Sequence, residues 1–86
     1  MFQVFLAPVS QKFLKKCEKE VYERVMKQIN GLASEPFPQG VVRVVGRQEK
    51  IFRVRVGIYR IQYVVYQEKN EILVTDIDKR PRAYQK

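Results

Sequence analysis

The sequence predicts an α+β domain: an N-terminal strand, one or two helices, then a three-to-four-stranded antiparallel sheet with the helices on one face. Three observations carry this. Apolar residues alternate at period two near the N-terminus, at Phe2, Val4 and Leu6. From Gln11 to Asn30 they recur at helical spacings of three and four. Between Ile51 and Tyr66 they alternate again in two runs, and a further run follows from Glu71 to Ile77. So short a chain, 86 residues, makes one domain over 1–86, because it buries only about 60–65% of its unfolded surface and has no room for a second core.

Taken in order, the strand at Met1–Ala7 is expected to stop at Pro8, which cannot donate to a ladder. Ser10 has the side chain of a helix N-cap. Phe13, Leu14, Cys17, Val21, Val25 and Ile29 then form an apolar stripe, with lysines and glutamates between them, and Gly31 is expected to end it. A break within the charged KKCEKE segment would make two helices of one; the periodicity alone leaves both open. Ser34–Gly40, with two prolines and a glycine, reads as a loop with Phe37 tucked beneath it. Val41–Val45 reads as a strand broken by Gly46, and Arg47–Lys50 and Gln67–Asn70 as turns. Asp78–Lys86 is a basic, aromatic tail too short for another full helix.

The sheet is organised around IFRVRVGIYRIQYVVY, residues 51–66, read as a hairpin turning at Gly57. Folding it places Phe52, Val54, Ile61 and Tyr63 on one face and Arg53, Arg55 and Arg60 on the other. Tyr59 and Tyr63 are expected in the core, and Val64 and Tyr66 on the open face, where a partner would cover them.

Composition narrows the chemistry. Seventeen Lys and Arg against nine Asp and Glu leave a formal charge of +8 and a pI near 9.9, which favours polyanionic partners. There is no histidine, so no imidazole serves proton transfer and any zinc site lacks its commonest ligand. The single Cys17 cannot form an internal disulfide and suits a reducing, cytoplasmic setting as a small core residue. MFQVFLAPV is no signal peptide, and no run approaches the ~20 apolar residues of a membrane span. Asp76 and Asp78, among cations, read as ion-pair partners rather than metal ligands; no cofactor is expected.

A second basic cluster, Lys79, Arg80 and Arg82 with Tyr84 beyond, follows the last strand and could reach the open face. Arginines bind phosphate oxygens in pairs and stabilise the charge of a pentacoordinate phosphorus, while a tyrosine ring stacks on an unpaired base. In RNA the 2′-hydroxyl supplies its own nucleophile, so such a site needs neither metal nor histidine.

These residues resemble the RelE/ParE toxin superfamily, and within it most the RelE-type ribonucleases. The resemblance runs through FLKKCEKEVYERVMKQINGL, SEPFP, RVRVGIYR and the closing TDIDKRPRAY, nearly the whole chain. It implies a strand, a helical hairpin broken near Cys17 and an antiparallel sheet. It also implies a toxin that cuts mRNA in the ribosomal A site, without metal, by 2′-hydroxyl attack. Arg53 and Arg55 then take the basic strand positions that bind RNA and favour activation of the 2′-hydroxyl, and Arg60 binds the transition state. Arg80 is the acid for the leaving 5′-oxygen and Tyr84 the stacking partner, with Lys79 and Arg82 on phosphates. The implied partners are the ribosome, mRNA and an acidic antitoxin, in an assembly that can be a heterotetramer. Two departures stand out: Asp78 replaces a small residue, and neither 53 nor 55 is lysine. A ParE-like gyrase inhibitor and a non-catalytic basic RNA-binding protein are the alternatives.

Overall fold

The computed structural model describes residues 1–44 and 50–79. Strand β1 spans Gln3–Leu6, helix α1 Pro8–Lys16 and helix α2 Lys19–Leu32. Strands β2 (Val42–Arg43), β3 (Ile51–Val56), β4 (Tyr59–Tyr66) and β5 (Glu71–Lys79) follow. One five-stranded sheet runs in the order β1-β5-β4-β3-β2, with β1 parallel to β5 and every other pair antiparallel. The helical crossover between β1 and the rest makes that parallel pair possible, since parallel neighbours need a long connection.

The helical region is two helices, divided where the family resemblance implies. Cys17 and Glu18 are both extended, and the Cys17 N–H closes the last turn of α1 on the Phe13 carbonyl. Charge favours a break there. Lys15 and Lys16 sit in the last turn of α1 and Glu20 in the first turn of α2, each complementing the local helix dipole.

The helix ends differ from expectation. Helix α1 starts at Pro8, where a missing N–H costs nothing, and Ala7 stands at the cap position. Ser10 is no cap: it is fully buried, and its Oγ donates to the Val74 carbonyl at 3.0 Å. Gly31 lies inside α2, which ends at Leu32, because Leu32 is itself a fully buried core residue. Packing of that side chain outweighs the modest helix penalty of one glycine.

Both helices cover one face of the sheet. Leu14, Val25, Ile29 and Leu32 pack on Val54, Ile61, Tyr63, Ile72, Val74 and Ile77. Full burial of each such aliphatic side chain contributes about 1.5–3 kcal/mol. Phe37 stands edge-on to Phe52, ring centroids 4.9 Å apart, yet stays largely exposed at the sheet margin. Tyr63 is buried as expected, and Tyr59 half-buried against Phe13. Among the described residues, no helix is long and apolar enough to cross a membrane.

Strand β5 reaches Lys79, two residues beyond the expected end. It also changes parity. Gln62 pairs with Asp76 but Tyr63 with Val74, so Thr75 is an inserted residue, and its Oγ1 donates to the Gln62 carbonyl. Without that bulge Asp76 and Asp78 would face the helices. With it Ile77 enters the core and both carboxylates turn to the open face.

Candidate nucleic-acid interface

The β3–β4 hairpin holds the expected arginines where its pattern put them. Val56 pairs with Tyr59, leaving a two-residue loop, Gly57-Ile58. Gly57 has φ +61° and Ile58 is not at positive φ, the arrangement of a type II′ turn, whose twist suits antiparallel strands. The register then aligns Phe52 with Tyr63 and Val54 with Ile61 on the helix side. Arg53 stands opposite Gln62, and Arg55 opposite Arg60, on the open side.

Two rows therefore cross that face. The first runs Arg55, Arg60, Asp78 over β3, β4 and β5; the second runs Arg53, Gln62, Asp76. The face is graded: cationic on β3, carboxylate-bearing on β5, with Arg60 between. The ion-pair role was legible and is met by Asp78, whereas Asp76 stands opposite Gln62; the share of both carboxylates in this face was not legible. The Val74-to-Ile77 spacing, three instead of two, is the local sign of the bulge that turns them outward.

Arg60 and Asp78 form a side-on pair. Nε lies 3.5 Å from Oδ1 and Nη2 donates to Oδ2 at 3.5 Å. The Arg60 side chain is 13% exposed and that of Asp78 42%. The carboxylate thus restrains a guanidinium that the neighbouring Arg55 would repel, and it offsets one of two like charges placed directly opposite each other. Arg55 is exposed and Arg53 half-buried.

The other expected residues fall differently. Lys79 pairs with Tyr59 and so belongs to the helix side, where it borders a groove of about 610 Å³ between the helices and the ends of β4 and β5. Arg80, Arg82 and Tyr84 lie outside the described residues. One cation absent from the sequence reading approaches the hairpin: the exposed Arg24 of α2 lies against Gly57, so that a Cβ there would meet its Nη2 at 2.9 Å.

At the opposite end the open face is apolar. Ile51 and Val64 are paired and buried, and stand apart from the core under the helices. The open-side expectation for Val64 therefore holds, but the side chain is already covered. Phe5 and Tyr66 are 42% and 39% exposed beside Leu73 around a depression of about 280 Å³, and the Lys69 ammonium sits 5.7 Å from the Tyr66 ring centroid.

No established family profile matches the chain. A curated protein of Methanocaldococcus jannaschii described as toxin RelE1 is 36% identical over 59 residues, which are 65% of this chain and 64% of that protein, just under two thirds of its length. Among solved structures, the archaeal RelE–RelB complex of Pyrococcus horikoshii contains a chain with TM-score 0.82 and 26% identity, aligned over 94% of this chain and 97% of the other. The isolated RelE toxin of E. coli superposes with TM-score 0.78 over 99% and 93% of the two chains. A chain of the Mycobacterium tuberculosis RelBE2 toxin–antitoxin complex does so at the same score over 92% and 98%. The last two, at 20% and 21% identity, speak for the fold.

Proposed function

We propose that this chain is a RelE-type toxin, the toxin of a toxin–antitoxin pair and a metal-independent endoribonuclease, a reading supported by its 36% identity to the RelE1 relative and by its fold match to the RelE–RelB complex. It cuts mRNA in the ribosomal A site: the 2′-oxygen attacks the adjacent phosphorus, the 5′-oxygen leaves, and a 2′,3′-cyclic phosphate remains. Translation stops because the message is severed. The place of action is the cytoplasm, where ribosomes are.

One observation carries the reading: Arg55 and Arg60 stand directly opposite each other on an open sheet face, with Arg60 restrained by Asp78. Two guanidinium groups at cross-strand distance match the non-bridging oxygens of one phosphodiester, and both gain when charge builds on them in the transition state. Arg53 holds a flanking phosphate. By family resemblance Arg80 protonates the leaving oxygen, Tyr84 stacks on the substrate, and Lys79 and Arg82 contact phosphates further along. An acidic antitoxin inhibits by occupying the same cationic face, in an assembly that includes heterotetramers.

The test is to add the protein to translating ribosomes and map new 5′ ends on the mRNA. A-site cuts made by the wild type and lost in Arg60→Ala and Arg80→Ala support the reading. Intact mRNA with blocked DNA supercoiling would instead indicate a gyrase inhibitor. Salt-sensitive RNA binding without either effect would indicate a binding protein.

A further inference from the structure

We infer that Asp78 is the general base that takes the proton from the 2′-hydroxyl, an inference that rests on the nuclease reading above. The need for such a group comes from the inventory of bases. The chain has no histidine, and both strand positions 53 and 55 are arginine, which stays protonated and cannot accept. In the two rows that cross the cationic end of the face, the only side chains of a type that accepts a proton as carboxylates are Asp76 and Asp78.

Geometry separates the two. Asp76 stands opposite the uncharged Gln62, one row away from the Arg55–Arg60 pair that would bring a phosphate close. Asp78 stands in the row of Arg55 and Arg60. Its Oδ1 is buried against Arg60 Nε, while the side chain as a whole is 42% exposed. Both oxygens face Arg60, Oδ1 against Nε and Oδ2 accepting from Nη2, and since Oδ1 is buried the exposure of the carboxylate falls on the Oδ2 side. Neighbouring strands are about 4.8 Å apart, so a phosphate gripped by Arg60 places its ribose within reach of the next strand. Among the described residues, the charged groups facing Asp78 are Arg60 on β4, Arg55 one strand beyond and Asp76 two residues back. Lys79 and the helices occupy the other side of the sheet. The guanidinium beside Asp78 also stabilises the phosphorane, so base and electrophilic clamp act as one unit.

The step balances. The 2′-O–H proton passes to Asp78 Oδ2, and the freed electron pair forms the O2′–P bond. The P–O5′ bond breaks with its pair on the 5′-oxygen, which takes a proton relayed from solvent. Asp78 then returns its own proton to solvent, so the proton count is unchanged.

The discriminating variant is Asp78→Asn in the full-length chain, assayed in single turnover on ribosomes carrying a defined A-site codon. Asparagine retains an acceptor for Arg60 but is no base. Cleavage is expected to slow by about 100-fold or more. Association with ribosomes whose mRNA carries a 2′-deoxy A-site codon should be unchanged or tighter. The acid limb of the wild-type pH–rate profile should vanish, and Asp78→Glu should recover part of the rate. Cleavage by Asp78→Asn within about threefold of wild type, well short of the effect of a lost general base, would overturn the inference. So would a slow variant that keeps the wild-type acid limb, since Asp78 would then only orient Arg60. In both cases the wild type still cuts, so the nuclease reading survives. A wild type that leaves mRNA intact overturns the nuclease reading, and this inference with it.

Discussion

The Tyr63 hydroxyl donates a 2.7 Å hydrogen bond to the Pro36 carbonyl, tying the central strand β4 to the proline-containing loop 27 residues earlier. The ring is fully buried against Phe52, and burial pushes its pKa up to about 12. Two expectations follow from this one contact. At neutral pH, Tyr63→Phe leaves the Pro36 carbonyl without its donor and should cost about 1–2 kcal/mol in chemical denaturation.

The pH dependence has a definite sign. An unfolded tyrosine releases its proton near ~10, earlier than the buried one. Between pH 10 and about 12 the unfolded chain binds fewer protons, so stability falls as pH rises. The contribution is intact below pH 10, and its full loss once pH passes about 12 amounts to about 3 kcal/mol. Denaturation of wild type and Tyr63→Phe across this window should show the gap between them closing as pH rises; a constant gap would refute the assignment.

Ser10→Ala removes a buried hydroxyl that joins α1 to β5 across 64 positions of sequence. The Val74 carbonyl also accepts the Ala7 N–H at 2.9 Å, so it is not orphaned. The expected cost is therefore about 1 kcal/mol, or a Tm lower by roughly 4–8 °C. A surface cap residue would give a similar value for helix stability, but Ser10→Asp separates the roles. Aspartate suits a cap, and at a fully buried site it should unfold the protein.

Gly57→Ala tests which of two effects requires the glycine. The added Cβ would meet Arg24 Nη2 at 2.9 Å, but that atom ends a flexible, exposed side chain and can swing away. The positive φ cannot be relieved in the same way. The substitution should cost about 1–2 kcal/mol, and Arg24→Ala in the same chain should recover little of it. Full recovery would show that the contact, not the backbone, decides.

Arg53 and Arg55 are separable by salt. In binding to a single-stranded RNA, Arg55→Ala should lower the slope of log affinity against log salt by about 0.7, the value for one lost phosphate contact on a single strand. The half-buried Arg53 should contribute less, and Gln62→Ala should leave the slope unchanged.

Much of this was readable beforehand because it is local. Alternation at period two placed Arg53, Arg55 and Arg60 on one face and Tyr63 in the core, and Gly57 marked the turn. The helical break, which periodicity left open, also had a local sign in the charge order of KKCEKE, cations ending one helix and an acid starting the next. Ser10 and Gly31 were misread because propensity is a weak guide where burial intervenes: each residue has the right chemistry for a helix end, and each was overridden by packing.

From the order of residues alone came the α+β class, the hairpin, the excess of positive charge and the lack of any imidazole. Those are properties of neighbours and of composition. Only the folded chain decided that Asp78 meets Arg60, that Lys79 turns to the helices, and that Val74 receives the Ser10 hydroxyl. Each of these depends on strand register, and a single inserted residue at Thr75 reverses which way every later side chain on β5 points. Register is set by the whole sheet and its helical cover together, so a reading of one strand at a time cannot reach it.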